Sequence, residues 1–174
     1  ISFDPGNLSN IDDFYLLPNA AKAVKVINYS EYLTIVVTNQ PMVAKGLLDI
    51  KDVEQIHKKM ETLLGETGAK LDGVYFCPHH PEKGYPGENS EFTIPCECRK
   101  PQIGLLKKAK KYFNIDLRHS WIIGDSERDI LAGQHAGVKT ILVKKNQNQL
   151  EKCRVETKAA KDLYSAIKFI FKKK

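Results

Sequence analysis

Short runs of β-branched and aliphatic residues alternate along this chain with segments of helical periodicity. The continuous apolar run Leu33–Thr38 predicts a strand that is buried on both faces, as strands of a parallel sheet are. Apolar positions then recur at helical spacing from Ile50, with Asp49 as a candidate N-cap and Gly65 at the far end. Further strands are predicted at 74–76, 121–123 and 140–143.

Helices are expected to connect these strands. One is predicted from about Gln102 to Phe113, one begins near Glu127, and the tail from Gln147 onward is expected to be helical, with Leu163, Ile167 and Ile170 on one face. This alternation predicts an α/β fold with a doubly wound parallel sheet, in one domain that spans residues 1–174. Ligands of such sheets bind beyond the carboxyl ends of the strands, so the residues there indicate the chemistry.

Two of the predicted strands end in polar side chains. Thr38-Asn39-Gln40 ends the first run and offers a hydroxyl and an amide to an anion, although a strand-to-loop cap would use the same residue types. Asp125 follows the 121–123 strand and could hold Mg²⁺, with Asp129 one helical turn later to brace the site. A lone Asp before a helix can equally be an N-cap.

Three of the four cysteines lie in one segment, at the spacing of metal ligands. The two closely spaced pairs are Cys77 with His79 and Cys96 with Cys98. Together they would give Zn²⁺ a tetrahedron of three sulfurs and one nitrogen. The residues between the pairs are polar and rich in turns, so a metal in this zinc-binding loop, residues 77–98, would supply order that packing cannot. Four protein ligands leave no open position, so the expected role of the zinc is structural.

Alternatives to this ligand set stay open. His80 is the rival of His79, and we prefer His79 because Cys-x-His mirrors Cys-x-Cys. The thiols could instead be reduced and partly buried, or Cys96 and Cys98 could oxidise to a disulfide. Thiols at metal spacing, with Cys153 left alone, favour a reducing cytoplasm.

Composition and charge narrow the class of protein. A chain of 174 residues that is 42% hydrophobic and 28% charged is expected to form a globular domain, and no apolar run approaches a membrane span. The net charge of +6 could indicate nucleic acid binding, but the lysines are spread through helical segments, as is typical of solvated faces. Arg99 and Lys100, directly after the second cysteine pair, favour a small anionic substrate instead.

Taken together, these motifs resemble a known family. The order strand-Thr-Asn, then a Lys, then strand-Gly-Asp-x-x-x-Asp is similar to that of the haloacid-dehalogenase-type (HAD) phosphatases. Within this superfamily, the chain resembles the heptose-1,7-bisphosphate 7-phosphatases and their histidinol-phosphatase relatives. The motifs that carry this resemblance are Thr38-Asn39-Gln40, Cys77-Pro78-His79-His80-Pro81, Cys96-Glu97-Cys98-Arg99-Lys100-Pro101 and Gly124-Asp125. The resemblance runs from Ile1 to about Lys144 and implies a Rossmann-like core without a large cap domain.

The resemblance implies a Mg²⁺-dependent phosphatase that forms an aspartyl phosphate. Its substrate would be a small phosphorylated metabolite, a sugar bisphosphate of lipopolysaccharide biosynthesis, and we expect a cytoplasmic monomer. The implied roles are Mg²⁺ binding for Asp125, phosphoryl binding for Thr38 and Asn39, charge balance for Lys100, substrate contact for Arg99, Gln40, Pro41, Asp4, Pro5, Gly6 and Asn7, and zinc binding for Cys77, His79, Cys96 and Cys98. The zinc would shape a loop that covers the site.

The catalytic aspartates of the family are the main departure. Family members begin with a strand that ends in Asp-x-Asp-Gly-Thr-hydrophobic, and Ile1 aligns with the last residue of that motif. The nucleophile and the general acid are therefore expected just before Ile1, on a first core strand that the sequence lacks. Asp4 superficially echoes the motif, but it supplies one carboxylate where two are needed and no apolar strand precedes it.

Smaller departures bear on the substrate. The family usually has Ser-Gly-Ile-Ala-Arg-Gly after its Thr-Asn-Gln, whereas this chain has Pro41-Met42-Val43-Ala44-Lys45-Gly46, so a lysine replaces the planar fork of arginine. Ser126 stands where the heptose enzymes commonly have a lysine. A histidinol-phosphate phosphatase, a polynucleotide 3′-phosphatase and a non-catalytic phosphate-binding domain are the alternatives.

Overall fold

Helices and parallel strands alternate in the computed structural model, which describes residue 2, residues 10–143 and residues 157–172. The chain divides into two compact units, Ile1–Arg99 and Lys100–Lys174, and each is described by itself. The arrangement of residues 1–174 as one domain stays a prediction.

The described residues of the first unit form two α-helices, two strands and a short 3-10 helix at Ile11–Asp13. The α-helices and strands are α1 (Ala20–Asn28), β1 (Ile35–Asn39), α2 (Ile50–Gly65) and β2 (Gly73–Cys77). β1 and β2 pair in parallel, from Ile35 opposite Gly73 to Asn39 opposite Cys77. The residues of β1 are half-buried rather than buried on both faces as the apolar run predicts; among the described residues β2 is its strand partner.

In the second unit, the described residues form three strands, three α-helices and a short 3-10 helix at Leu117–His119. The α-helices and strands are α3 (Gly104–Phe113), β3 (Trp121–Gly124), α4 (Glu127–His135), β4 (Lys139–Val143), β5 (Lys158–Ala160) and α5 (Leu163–Phe171). The strands form a parallel sheet in the order β3-β4-β5. The α/β fold with parallel sheets that the sequence predicts is thus confirmed.

The longest helix, α2, begins and ends where its sequence signals predict. Asp49 is its N-cap: its carboxylate accepts the N–H of Asp52 at 2.8 Å, and the Asp52 carboxylate accepts the N–H of Asp49 at 2.8 Å. This reciprocal capping box satisfies two backbone donors that the first helical turn leaves unpaired. The buried face of α2 then packs into the core of the first unit, formed by Phe14, Val24, Ile56, Met60, Leu64 and Ala69.

Two elements were not predicted from the sequence. Helix α1 begins after Asn19, which has a left-handed φ of 63° and makes no side-chain capping bond, so its start carries no capping signal. Strand β5 corrects the expectation of a helical tail, because Lys158–Ala160 extends along β4 and the helix begins only at Leu163. A three-residue strand with two exposed residues has no period for a pattern to detect. The rest of the predicted tail, residues 147–156, lies outside the described residues.

Within the described parts of the chain, no helix combines the length and the apolar character that a membrane span needs.

One buried polar atom in the first unit has no hydrogen-bond partner. The Nε2 atom of His57, on α2, is shielded from solvent and unpaired among the described residues, and the ring packs edge-on against Phe76 of β2 at 5.4 Å between centroids. Burial lowers the pKa of His57, and the nearby carboxylate of Glu54 only partly opposes this effect. His57 therefore favours the neutral form in the folded protein.

We predict that this histidine makes folding pH-dependent. Because the folded-state pKa lies below the ordinary value of 6.5, the unfolded chain binds the proton more readily, and stability is lost as the pH falls below that value. The change in free energy of unfolding between pH 7.5 and pH 5.5, measured with urea, should be smaller in His57→Leu than in the parent. The variant keeps the other four histidines, so an identical pH dependence in both proteins would contradict the prediction.

Candidate functional site

The register of the first sheet brings two predicted groups of site residues to one sheet end. Thr38 lies opposite Phe76 and Asn39 opposite Cys77, so the hydroxyl–amide motif and the first cysteine end adjacent parallel strands. The N–H of Gln40 donates to the carbonyl of Cys77 at 2.7 Å, which continues the pairing one residue beyond β1. The side-chain amide of Gln40 donates to Thr38 Oγ1 at 3.3 Å.

Cys77, His79, Cys96 and Cys98 form a cluster that could hold a metal ion. Their Sγ and Nδ1 atoms all lie within 4.8 Å of one another. The Sγ atom of Cys98 is 3.0 Å from Cys77 and 3.3 Å from Cys96, and Cys77 is 3.5 Å from Cys96. His79 Nδ1 is 3.6 Å from Cys77 and 3.3 Å from Cys98.

These separations fit a small tetrahedral ion. A metal about 2.3 Å from each sulfur would hold tetrahedral sulfurs about 3.8 Å apart, slightly more than the sulfur separations in the cluster. Three thiols and one imidazole are the donors that bind borderline and soft cations. A small expansion of the cluster would therefore admit the metal without a change in the path of the backbone.

The two neighbouring histidines have different surroundings. His79 directs Nδ1 at the cysteine sulfurs, as described above. The Nδ1 atom of His80 instead accepts the N–H of Glu82 at 3.2 Å, and its buried ring packs edge-on against Tyr85. The structure thus brings His79, and not its rival, into the cluster.

The three thiols of the cluster differ in acidity. Burial, followed by the hydrogen bond with Cys98, raises the pKa of Cys77, and burial also raises the pKa of Cys98. Burial opposes ionisation of Cys96 too, but hydrogen bonds with Cys98 and Cys77 outweigh it and leave its pKa lowered. Cys96 is therefore the thiol that ionises first, and a bound cation would favour ionisation of the other two.

Arg99 is tied to the backbone of this cluster. Its guanidinium donates to the carbonyl of His79 at 3.1 Å, and the residue is half-buried. Residues 77–98, which contain the four candidate ligands, are called the metal-ligand loop below. The bond from Arg99 fixes a basic side chain relative to this loop in the first unit. Arginine suits an anionic group, because its planar guanidinium can bind a phosphate or carboxylate with two N–H groups at once.

A buried ion pair organises the second unit. Lys100 Nζ lies 2.6 Å from Asp129 Oδ1, with side chains 11% and 9% exposed. The other carboxylate oxygen of Asp129 accepts the N–H of Ser126 at 3.1 Å and its hydroxyl at 2.7 Å. Burial would raise the pKa of Asp129, but Lys100 and the Ser126 bonds outweigh burial and lower it. Asp129 is thus an ionised carboxylate with its charge compensated.

The residue before Asp125 makes room for this pair. A Cβ atom on Gly124 would overlap the side chain of Asp129 and come within 2.5 Å of its Oδ2. Any larger residue at the end of β3 would therefore displace Asp129 from Lys100. Asp125 follows Gly124 and is exposed, so its carboxylate stands in solvent at the carboxyl end of the strand.

The remaining predicted site residues are placed as follows. Pro41 is half-buried and accepts the N–H of Lys45 at 3.0 Å in the turn after β1. Asp4, Pro5, Gly6 and Asn7 lie outside the described residues, so their substrate contacts stay predictions.

Sequence reasoning missed contacts between the turn after β1 and the metal-ligand loop. The ammonium of Lys45 lies 4.4 Å from the centre of the Tyr85 ring, and the backbone of Gly46 meets that of Gly87. Each glycine is visible in the sequence as a turn signal. The contact between Gly46 and Gly87 depends on how the strands pair, and no local sequence pattern predicts it.

Comparison with known proteins identifies close relatives. Residues 97–166 match the family model of HAD-hydrolase-like proteins. The chain is 38% identical to the D-glycero-beta-D-manno-heptose-1,7-bisphosphate 7-phosphatase of Haemophilus ducreyi over 141 residues, 80% of this chain and 75% of that protein. It is also 38% identical to the enzyme of that name from Pasteurella multocida, over 146 residues, 83% of this chain and 76% of the relative.

Solved structures give the same result. The D,D-heptose 1,7-bisphosphate phosphatase from B. bronchiseptica, crystallised with magnesium and phosphate, superimposes with a TM-score of 0.84 at 26% identity, over 98% of this chain and 92% of that one. The D,D-heptose 1,7-bisphosphate phosphatase from Burkholderia thailandensis superimposes with a TM-score of 0.69 at 25% identity, over 95% and 91% of the two chains.

We predict that Lys100→Met destabilises the protein by about 3 kcal/mol, because it leaves the buried charge of Asp129 without its partner. Urea unfolding at pH 7 measures the loss. Lys108→Met, which removes an exposed lysine on α3, should change stability by less than about 0.5 kcal/mol. In Lys100→Met the pKa of Asp129 should also rise.

The ionised carboxylate of Asp129 should also make the free energy of unfolding depend on pH. Because the folded-state pKa of Asp129 is lowered, its stabilising contribution is present above its ordinary pKa and is lost as the pH falls through the lowered value. Equal unfolding free energies for Lys100→Met and Lys108→Met would show that the ion pair contributes nothing.

Proposed function

Because this chain belongs to the HAD family of D-glycero-beta-D-manno-heptose-1,7-bisphosphate 7-phosphatases, we propose that it removes the 7-phosphate of that sugar bisphosphate. The observation that carries the proposal is the 38% identity to such a phosphatase over 80% of this chain. The polar ends of β1 and β3 supply the matching chemistry, a hydroxyl–amide motif and an exposed carboxylate.

The proposed reaction transfers the phosphoryl group to an aspartate and then hydrolyses the acyl phosphate. The described residues supply the groups around this step rather than the nucleophile. The Thr38 hydroxyl and the Asn39 amide would donate to the phosphoryl oxygens, and Lys100 would offset their negative charge. Asp129 acts as a positioning residue, because its ion pair fixes the ammonium of Lys100.

Asp125 is the proposed ligand of magnesium. An exposed carboxylate at a strand end suits a hard cation that keeps several of its waters. When bound, magnesium neutralises charge on the transferring phosphoryl oxygens. The B. bronchiseptica relative was crystallised with magnesium and phosphate, which supports a magnesium-dependent reaction.

Contacts to the rest of the substrate are assigned to the basic and polar residues near the first sheet end. Arg99 would bind an oxygen of the sugar or of its second phosphate, since the bond to the His79 carbonyl holds its guanidinium in place. Gln40 and Pro41 would line the same end of β1. We further propose that the reaction serves lipopolysaccharide biosynthesis in the cytoplasm and that the protein is a monomer.

The Cys77–His79–Cys96–Cys98 cluster is the proposed zinc site. Its donor set and its spacing suit Zn²⁺, and four protein ligands make the role structural. The zinc would hold together a loop, residues 78–95, that has neither a helix nor a strand.

We predict one zinc ion per chain. Elemental analysis of the purified protein should find it, and Cys98→Ala should lose most of it, because Cys98 lies closest to the other two sulfurs. Ser165→Ala, a change of similar size far along the chain on α5, should retain it. Full zinc content in Cys98→Ala would contradict the proposed ligand set.

The phosphatase proposal predicts Mg²⁺-dependent phosphate release from heptose 1,7-bisphosphate. In the active enzyme, Asp125→Asn should lower kcat by at least about 100-fold, since it removes a proposed ligand of the charge-neutralising cation. Asp116→Asn, at an exposed carboxylate on the surface of the second unit, should stay within about twofold of the parent.

If the protein releases no phosphate from heptose 1,7-bisphosphate, assays with other phosphorylated substrates distinguish the remaining alternatives. Release from histidinol phosphate alone would leave the phosphatase chemistry intact and overturn the sugar substrate. Release from a DNA 3′-phosphate, with salt-sensitive affinity, would favour the polynucleotide enzyme. No release from any of the three would leave a phosphate-binding domain.

A further inference from the structure

The turn that follows β1 rests on the metal-ligand loop. We call residues 41–48 the β1 turn and residues 85–93 the clamp segment. The N–H of Asn89 donates to the carbonyl of Ala44 at 2.9 Å, which joins the two segments through their backbones. The ammonium of Lys45 lies over the ring of Tyr85 at 4.4 Å from its centre. Both contacts lie within the first unit.

Thr93 holds the clamp segment in the shape that reaches Ala44. Its hydroxyl donates to the carbonyl of Asn89 at 2.8 Å and lies 3.3 Å from the carbonyl of Ala44, and its side chain is only 4% exposed. The N–H groups of Phe92 and Thr93 also donate to the Asn89 carbonyl, at 3.1 Å and 3.0 Å. The buried hydroxyl of Thr93 thus links the carbonyl of Asn89 to the carbonyl of Ala44, which lies next to the Asn89 N–H.

The two segments approach so closely that one position must be glycine. Gly46 has a φ of +71°, and a Cβ atom there would overlap the backbone carbonyl of Gly87. A carbonyl of the main chain cannot rotate away as a flexible side chain can. The contact therefore exists only while the clamp segment and the β1 turn keep their present separation.

The metal-ligand cluster flanks the clamp segment on both sides. Cys77 and His79 precede the clamp segment and Cys96 and Cys98 follow it, so a bound ion would close this part of the chain into a ring. The carbonyl of Cys77 also accepts the N–H of Gln40, directly before the β1 turn. The turn is thus attached to the metal-ligand loop at its beginning and along its length.

We infer that the clamp segment, closed by the metal, holds the β1 turn in place, with Gly46 and Thr93 as its positioning residues. The inference deepens the proposed function and rests on it for one point: the β1 turn continues directly from Thr38 and Asn39, the proposed phosphoryl-binding groups. The metal-ligand loop would then act on phosphate binding through the backbone, without any of its residues touching the phosphate.

Hydrogen exchange measured by mass spectrometry tests the coupling without an activity assay. The N–H groups of Lys45, Gly46 and Leu47 are protected by turn hydrogen bonds of 3.0, 3.1 and 2.9 Å, so peptides that cover the β1 turn report its opening. Removal of the metal with a chelator should speed exchange there by about tenfold or more, and it should also speed exchange in residues 80–95. Exchange in the middle of α2 should stay slow.

Gly46→Ala separates the contact from the metal. In the zinc-loaded protein it should speed exchange in the β1 turn by about tenfold, because strain and overlap with Gly87 both act there. Gly68→Ala is the matched control, since Gly68 has a φ of +72° and only the flexible Lys25 side chain within 4 Å of a Cβ atom. It should leave the β1 turn unchanged. Both variants should still bind one zinc per chain.

Thr93 provides a milder pair of variants. Thr93→Val keeps the shape and removes the hydroxyl, and it should speed exchange of the β1 turn by about five- to tenfold, the effect of one buried hydrogen bond. Thr93→Ser keeps the hydroxyl and should restore most of the protection. In the active enzyme, Thr93→Val should raise KM for the phosphorylated substrate more than it lowers kcat.

The outcomes separate this inference from the proposed function. Unchanged exchange of the β1 turn after metal removal and in zinc-loaded Gly46→Ala would overturn the inference and leave the phosphatase proposal untouched. Acceleration through the whole first unit, α2 included, would also overturn it, because the metal would then support the fold in general. Metal-dependent protection in a protein that releases no phosphate would support the coupling and refute the phosphatase.

Discussion

The parallel pairing of β1 with β2 is the constraint on which the first unit depends. Because side chains alternate along a strand, a shift of one residue in this register would turn each residue of β1 to the opposite face. The observed register sets Asn39 opposite Cys77, so the hydroxyl–amide motif and the first metal ligand leave the sheet at the same end. The β1 turn and the metal-ligand loop therefore begin at neighbouring strand ends, and the hydrogen bond between Ala44 and Asn89 joins them further along the chain.

The second unit is organised by compensated charge. Asp129 is an ionised carboxylate in a buried position, which would be costly without Lys100 and the two bonds from Ser126. Gly124 belongs to the same arrangement, because the space that a side chain would fill is taken by Asp129. The end of β3, the N-terminus of α4 and Lys100 are thereby fixed by one ion pair.

Much of this architecture could be predicted from the sequence, for physical reasons that differ between elements. Strands β3 and β4 are short apolar runs, and α2 has an N-cap at Asp49, so local signals define them. The metal-ligand spacing is equally local, and the cluster contains the four residues that it indicates. Helix α1 and strand β5 have no such signal: the first begins at an uncapped Asn19, and the second lies within a pattern that predicts a helix.

Contacts between distant segments were the other part that pattern reasoning could not find. The sequence indicates separate roles for Lys100 and Asp129, but their pairing is a product of the fold. Two further contacts also depend on how the β1 turn packs against the metal-ligand loop. These are the close approach of Gly87 that confines position 46 to glycine, and the cation–π contact of Lys45 with Tyr85.

The ion pair of Asp129 with Lys100 also has a consequence for how strongly the proposed magnesium and the proposed zinc would be bound. Because that carboxylate is paired with Lys100, Asp125 is left as an exposed carboxylate whose charge no described ion pair offsets, and Mg²⁺ bound to solvent-exposed carboxylates keeps several of its waters. Three thiols and an imidazole hold their ion far more tightly. Magnesium should therefore dissociate more readily than zinc, so the protein would carry zinc as a component of its structure and take up magnesium from its surroundings.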